Sequence, residues 1–476
     1  MVKISRRGFL GGTATLFGIS SLQGAGYLED HPRLRVGIMS DVHITTPEST
    51  ALMRNTFRYF RDRKVDAVLI AGDLADWGLK SGLQYIADAW FDIFPNNKAP
   101  DGHPVEKLFC TGNHDYSGWR YGDMTLDMHV QGYSEKERLV KLGMKKCWEE
   151  VFQEEWQPVR RKTVKGYDFI SAEWEYANLG IADQWLEKNG KALDPHRPFF
   201  LFNHIPLAGT TSCSPNPNSR QNIKALWKYA NAVSLTGHTH RTLNDERSIW
   251  QGAFTAISIP SSSYTSSPHG SENGESSRNG SSRLAMRDVP SRENFERAQG
   301  FVLSVFDDRM IFERRDFKKE VEAGKPWIVP LPVRSQKPSV FEVRKPNIPI
   351  PQFPSGAQVK TYTSNLETRN YCWTIMMMLE FPAATAKGGR VFDYEVRVEM
   401  EDGSVPVKKR YLSPAYYELE SEEPKIVKFP FDAMHLPERG RYRLAVYPRN
   451  SFGVCGKPIQ SIVRESVPGK TSCPSA

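Results

Sequence analysis

Cysteine is scarce: six residues in a chain of 476, too few for a disulfide scaffold at this length. Cys110 falls inside an apolar, strand-like run and reads as a small buried filler. Cys372 and Cys455 both lie toward the C-terminal end. A pairing there is one reading, but the geometry it needs is not in the sequence. Also lacking is any block of consecutive Lys or Arg of the kind that grips nucleic acid, although the formal net charge is +8. That charge fits a generally basic surface and is compatible with an anionic substrate. No stretch beyond about residue 26 is apolar for long enough to span a bilayer, so no transmembrane segment is expected in the mature chain. What remains, 39% apolar and 25% charged residues, predicts a soluble globular protein. Its length predicts two domains rather than one core.

The first 30 residues read as an export signal. Ser5-Arg6-Arg7-Gly8-Phe9-Leu10 is followed by a mildly apolar, Gly/Ala-rich stretch to about Gly26. This resembles a twin-arginine (Tat) signal, with cleavage near Gly24-Ala25 and a periplasmic or extracellular destination. The apolar part is too short and too rich in glycine for a good membrane span.

From Leu34 onward, strand-like and helix-like patterns alternate. Leu34 to Ser40 and Val65 to Ala71 are apolar runs. Thr46-Pro47-Glu48 reads as a helix start, and Leu52, Met53, Phe57 and Phe60 recur at helical spacing. Leu83, Ile86, Trp90 and Phe94 suit a second helix. Strand, helix, strand, helix, strand predicts a layered α/β unit. Residues 116–177 interrupt the pattern with Trp119, Tyr121, Trp148, Trp156, Trp174 and Tyr176 among charges, and with one helix expected from Glu135 to Phe152. They read either as a cap over the site or as a peripheral excursion with its own small core. The pattern then resumes: a short helix over 181–188, a strand to Phe202, a polar loop at 210–219, and a helix carrying Ile223, Leu226, Trp227 and Ala230. A further strand follows over 232–236. Residues 261–283 are rich in Ser, Gly and Asn and read as a mobile loop. A hairpin turning at Asp307-Asp308 closes the unit, giving a catalytic domain of residues 31–329. A Pro-rich linker of residues 330–354 follows. Short alternating segments over 355–476 predict a smaller β-sandwich. Tyr442 to Gly453 vaguely resembles the late strand of a fibronectin type III domain.

Five stretches, each after an apolar strand-like run, carry the chemistry: Asp41-Val42-His43, Gly72-Asp73-Leu74-Ala75-Asp76, Gly112-Asn113-His114-Asp115, Asn203-His204 and Gly237-His238-Thr239-His240. Open α/β sheets bind ligands at such strand exits. Asp41, Asp73 and Asn113 offer oxygen, while His43, His204, His238 and His240 offer imidazole nitrogen. Mixed N/O ligation suits Zn, Fe or Mn rather than Ca. Seven ligands exceed one ion's needs and suit two, bridged by one carboxylate. A histidine taken singly is more often a satisfied core side chain than a ligand. Five of the eleven histidines fall within this ordered set, which weighs against that reading.

The order Asp-x-His, Gly-Asp-x-x-Asp, Gly-Asn-His-Asp, His, Gly-His-x-His resembles the calcineurin-like metallophosphoesterase superfamily over residues 33–317. The resemblance implies a four-layer α/β fold, two sheets between helices, and a dinuclear metal site at the strand ends. By motif, Asp41, His43, Asp73 and His240 would hold one metal, and Asp73, Asn113, His204 and His238 the other. It further implies in-line attack on phosphorus by a metal-bridging hydroxide. His114 would protonate the leaving group, with Asp76 orienting it. Asp115 reads as a turn-shaping residue.

Two departures narrow the branch. Phosphoprotein phosphatases carry Arg where this chain has Trp77, and purple acid phosphatases carry Tyr where it has Asp76. The Gly-Asp-Leu-Ala-Asp pattern is closer to the phosphodiesterase-like branch. The expectation is therefore an exported, metal-dependent phosphoric ester hydrolase acting on a small molecule or headgroup, a phosphodiesterase ahead of a phosphomonoesterase. The other reading is a surface- or glycan-docking protein whose phosphoesterase domain is inactive or secondary. In either case the C-terminal domain would contact the catalytic domain or a surface.

Overall fold

The computed structural model describes residues 31–76, 80–116, 144–174, 180–211, 221–266, 271–273, 298–332, 344–367, 373–416, 418–432 and 435–466. The Tat-like segment, Trp77, Trp119, Tyr121, Tyr176, Cys372 and most of the polar loop expected at 210–219 lie outside them; Cys455 is a free cysteine. Residues 32–476 form one compact unit. Among the described residues no helix is long and apolar enough to cross a membrane.

The first sheet is built on three parallel strands, β1 (Leu34–Met39), β2 (Ala67–Ala71) and β3 (Glu106–Cys110). Its other half is antiparallel: β10 (Gln299–Val305) pairs with β1, and β11 (Arg309–Asp316) pairs with β10. This is the predicted hairpin through Asp307-Asp308. In β2 every residue is buried, because both faces of a sheet in this position are covered. Leu69 faces inward to the second sheet, while Val68 and Ile70 face helices α1 (Thr50–Asp62), α2 (Lys80–Ile93) and α3 (Met144–Phe152). Met53, Phe57, Phe60, Leu83, Ile86 and Trp90 supply the helical side of that layer, as their spacing predicts.

The second sheet runs β4 (Val159–Val164), β5 (Tyr167–Ala172), β6 (Phe199–Asn203), β7 (Ala232–Thr236), β9 (Thr255–Ser258), β8 (Ile249–Gln251). Strands β5, β6, β7 and β9 are parallel. Phe169, Phe200, Phe202 and Val233 meet Val36, Ile38 and Leu69 between the sheets. Helix α4 (Ile181–Asn189) covers the far face through Ala182 and Leu186. The order helix, sheet, sheet, helix is the four-layer α/β fold.

The structure corrects the reading of 116–177 for its described part. Residues 144–172 are neither cap nor excursion: α3 packs on the first sheet through Trp148 and Phe152, and β4 and β5 extend the second. Charge hid the strand. Arg160 and Lys162 of β4 are paired with Glu154 and Glu173 or Glu106, so a charged run lies within a sheet. The helix expected through Ile223 and Ala230 is a short 3₁₀ segment, Lys224–Lys228.

Two further sheets follow. One joins β14 (Lys360–Glu367), β15 (Trp373–Pro382) and β18 (Ile426–Phe431). The other is built on β16 (Asp393–Met400), β17 (Val407–Leu412) and β19 (Gly440–Arg449). Leu379, Phe381, Phe429, Val396, Val398 and Leu444 form one core between them, which makes the pair a β-sandwich. The described end of the Pro-rich stretch is held down, with Arg344 donating to Glu246 at 2.6 Å.

Candidate metal centre

All seven ligand candidates converge at the carboxyl ends of parallel strands. Asp41 and His43 leave β1, Asp73 leaves β2 and Asn113 leaves β3. His204 leaves β6, and His238 and His240 leave β7. The first sheet thus supplies every oxygen ligand and the second sheet three of the four imidazoles. Backbone bonds lock the exits together, from Asp41 N to Gly72 O and His43 N to Asp73 O (both 3.0 Å) and from Gly237 N to His204 O at 3.1 Å.

The local conformations are unusual. Asp41, His43, Asp73, His238 and His240 all have positive φ, between 49° and 71°. Non-glycine residues rarely adopt this left-handed region, and such strain concentrates where function demands a side chain direction. Two motif glycines serve a different need. A Cβ on Gly112 would lie 2.2 Å from Asp73 Oδ1, and one on Gly237 would lie 2.0 Å from Ser40 Oγ and 2.5 Å from Asp41 Oδ2. Only a bare backbone lets these carboxylates sit where they do.

Two groups of donor atoms share one carboxylate. Ligand atoms of Asp41, His43, Asp73 and His240 all lie within 4.8 Å of one another. Beside them, His238 Nδ1 is 3.1 Å from Asn113 Oδ1 and 3.3 Å from His204 Nε2. Asp73 Oδ2 stands 3.2 Å from His204 Nε2 and 3.6 Å from His43 Nε2, so it belongs to both groups.

The hydrogen bonds behind the imidazoles set which nitrogen faces inward. His43 Nδ1 contacts Asp76 Oδ1 at 3.0 Å, His204 Nδ1 contacts Ala71 O at 2.8 Å and His240 Nδ1 contacts Tyr264 O at 3.2 Å. Each acceptor calls for a proton on Nδ1, which leaves the Nε2 lone pair toward the centre, the usual arrangement of metal-binding histidines. Such lone pairs repel one another and attract a cation.

The electrostatics agree. Burial alone would raise Asp41 and Asp73, but the surrounding imidazoles, His240 and His204 for Asp41 and His204 for Asp73, outweigh it and hold both well below the usual carboxylate range. Burial alone would lower His204, yet the Asp73 and Asp41 carboxylates lift it to about 9. Burial, with the charge of His204, pushes His238 down to about 4. Burial also depresses His43. In the metal-free chain the site therefore keeps a proton on His204 where positive charge is called for, and neutral, electron-donating imidazoles around it. The donor set fits a dinuclear site.

His114 stands apart from the ligands. Its Nδ1 donates to the Asp76 main-chain oxygen at 2.7 Å, and its Nε2 lies 4.0 Å from Asp73 Oδ2. The resemblance assigns the Asp76 carboxylate to His114. In the structure that carboxylate is nearer His43 (3.0 Å) than His114 (3.5 Å), and the main chain of Asp76 orients His114. Asp115 takes hydrogen bonds from Gly112 N, Ala75 N and Leu74 N. It staples the second motif to the third, and burial pushes its carboxyl up to about 7.

Three residues near the site stand outside the five motifs, and the sequence reading names only Trp174 among them, as one of the aromatics of 116–177. Glu173, fully buried, accepts from Thr111 N at 2.8 Å and Arg160 Nη2 at 2.7 Å, bracing the segment before Asn113. Trp174 lies against His204 and His238, ring centroids 6.0 and 5.9 Å away. Tyr264 lies against His240 and His43, at 4.2 and 5.4 Å. None follows a strand in a recognisable motif, so no local pattern marks them.

The family model of calcineurin-like phosphoesterases matches residues 34–242. No curated protein matches the chain. Among solved structures, the chain is similar to a dimetal phosphatase from Danio rerio, at 11% identity and TM-score 0.35 over 63% of this chain and 99% of that one. It is also similar to the anchor in the inner membrane complex of Plasmodium, at 14% identity and TM-score 0.36 over 64% and 90%. A third is a purple acid phosphatase from yellow lupin seeds, at 13% identity and TM-score 0.38 over 63% and 55%. The match to the calcineurin-like phosphoesterase family and all seven candidate ligands fall on the same stretch, residues 34–242.

Proposed function

We propose that this chain is an exported phosphoesterase working with two metal ions on phosphate esters of small molecules or headgroups, diesters ahead of monoesters. The observation that carries it is Asp73 Oδ2, placed between His204 Nε2 and His43 Nε2, where one carboxylate serves two ligand groups. Asp41, His43, Asp73 and His240 would hold one ion, and Asp73, Asn113, His204 and His238 the other. When bound, a pair of Mn, Fe or Zn ions supplies Lewis acidity toward phosphate oxygens and activates water near neutral pH.

The protein's own groups do the rest. The orienting bonds to Asp76, Ala71 and Tyr264 hold the imidazoles in their donor form. His114, with Nδ1 committed to Asp76 O, turns Nε2 to the site and delivers a proton to the leaving-group oxygen. The diester preference rests on the Gly72 to Asp76 pattern, and export rests on Arg6-Arg7 and the apolar stretch after them. The division into a catalytic part, residues 31–329, and a β-sandwich, residues 355–476, is part of this reading.

The test is a paired assay of a chromogenic phosphodiester and its matching monoester, with metal content by elemental analysis. About two metals per chain with diester turnover supports the proposal. Monoester turnover alone removes the diester preference, and absence of metal removes the site. For export, fractionation of a strain expressing Arg6→Lys with Arg7→Lys should find the unprocessed protein retained.

A further inference from the structure

Residues 261–266 touch the candidate metal ligands and the sandwich side, and residues 271–273 touch the β-sandwich. At its start, Ser261 Oγ donates to Asp41 O at 2.9 Å and accepts from Tyr264 N at 3.1 Å. Tyr264 then packs its ring on His240 and accepts that histidine's Nδ1 proton on its main-chain oxygen. Ser266 N donates to His240 O at 2.8 Å. The ties to the sandwich follow directly. Tyr416 OH donates to Ser266 O at 2.7 Å. Glu272 N donates to Arg410 O at 2.7 Å, and Lys409 pairs with Glu272 at 3.1 Å. Asn273 bonds the main chain of Leu412 in both directions, accepting from its N at 2.7 Å and donating to its O at 3.0 Å. Leu412 ends β17, so the Asn273 side-chain amide pairs with the last residue of that strand.

The orienting groups of the other histidines have a different origin. His43 is held by Asp76, in the loop after β2, and His204 by Ala71, the last residue of β2. His240 depends on Tyr264, and Tyr264 sits on a segment anchored to the sandwich. Tyr416 is itself buried, and Asn244 Nδ2, four residues after His240, donates to the neighbouring Ala415 O at 2.8 Å. A hydrogen bond behind a metal-binding histidine fixes its tautomer and ring plane, and losing it weakens metal binding by 10- to 100-fold in typical sites.

We propose that Tyr264 is a positioning residue for His240, and that the β-sandwich, through Tyr416 and Asn273, holds Tyr264 in place. The sandwich is then a built-in support for one of two metal positions, the one formed by Asp41, His43, Asp73 and His240. The position formed by Asn113, His204 and His238 does not depend on it. This rests on the dinuclear reading given above.

The test is zinc binding to the full chain, stripped of metal and titrated with Zn(II) by calorimetry, with bound zinc checked by elemental analysis. The variants are Tyr416→Phe, Asn273→Ala and their combination, each checked for folding by circular dichroism. The expected result is two zinc ions on the parent chain and selective weakening of one in the variants. That weakening should be about fivefold for Tyr416→Phe, the value of one net hydrogen bond, and tenfold or more for the pair. Tyr264→Phe, which keeps the ring and the main-chain oxygen, should bind like the parent, and Tyr264→Gly should not. Two unchanged constants in the double variant overturn the proposal, and so does equal weakening of both, which would mean general loosening. If the parent chain takes up no zinc or a single ion, the dinuclear reading itself fails, and this inference falls with it.

Discussion

His43 and His240 bring their Nε2 atoms to 3.2 Å from each other, although each has its Nδ1 on an acceptor, Asp76 Oδ1 and Tyr264 O. Two lone pairs at that distance repel. The chain nevertheless holds both rings there from loops almost 200 positions apart, with carboxylates of Asp41 and Asp73 alongside. Packing has prepared the place for a cation before any cation arrives.

Metal uptake should therefore release protons. In the metal-free chain His204 is raised to about 9, so at neutral pH it carries a proton that metal must displace. About one proton per chain is expected between pH 7 and 8, measured by titrating metal into weakly buffered protein. A raised histidine pKa stabilises the metal-free fold below the unfolded value near 6.5, and that contribution disappears as pH rises through about 9. Thermal unfolding of the stripped protein should show its melting temperature falling over that window, and His204→Ala should flatten the fall.

Replacing His114 tests proton delivery apart from metal binding. His114→Ala should lower kcat by about 10²- to 10⁴-fold and leave metal content at the parent level. The loss should be larger for alkyl esters than for nitrophenyl esters, whose leaving group needs no proton. Equal losses for both would remove His114 from that role.

Asp76→Asn should behave differently. Its carboxylate backs His43 at 3.0 Å, so metal affinity should fall by about 10- to 100-fold, and excess metal should restore much of the activity. A loss that added metal does not relieve would return Asp76 to His114.

Gly112→Ala and Gly237→Ala should each damage the site by intrusion. Their new Cβ atoms would meet Asp73 Oδ1 and Asp41 Oδ2 inside contact distance. Overpacking of this kind costs about 1–3 kcal/mol, read by chemical denaturation, and metal affinity should fall with it because the displaced carboxylates are the candidate ligands.

Glu173→Ala should be among the more damaging changes outside the ligand set. It removes one of the two carboxylates of the buried Arg160 guanidinium, which Glu173 faces at 2.7 Å and Glu154 still pairs, and each buried donor left unmet costs about 1–3 kcal/mol. Thermal unfolding measures the loss. Thr111 loses its acceptor at the same time, so the Asn113 segment should loosen.

Several of these effects were invisible before folding. The seven candidate ligands could be read because each motif is local: an apolar strand, a glycine or short polar exit, then a donor. Helices α1 and α2 could be read for the same reason, through a 3.6-residue period. Strand β4 could not, because Arg160 and Lys162 find buried or half-buried acids from β3, β5 and the α3–β4 turn, and local pattern treats charge as exposure. Glu173, Tyr264 and Tyr416 carried no pattern at all, and Trp174 only its place among the aromatics of 116–177.

The sequence by itself determined the candidate ligands, the strand–helix alternation and the resemblance to the calcineurin-like phosphoesterases, since all three are written in residues close together along the chain. Tertiary structure decided which atoms meet. It set Asp73 between two imidazole groups, turned the Asp76 carboxylate to His43, and placed Tyr264 behind His240 with the β-sandwich behind Tyr264. Those contacts join residues 24 to 150 positions apart. They follow from how two sheets pack face to face, and one-dimensional spacing carries no record of that packing.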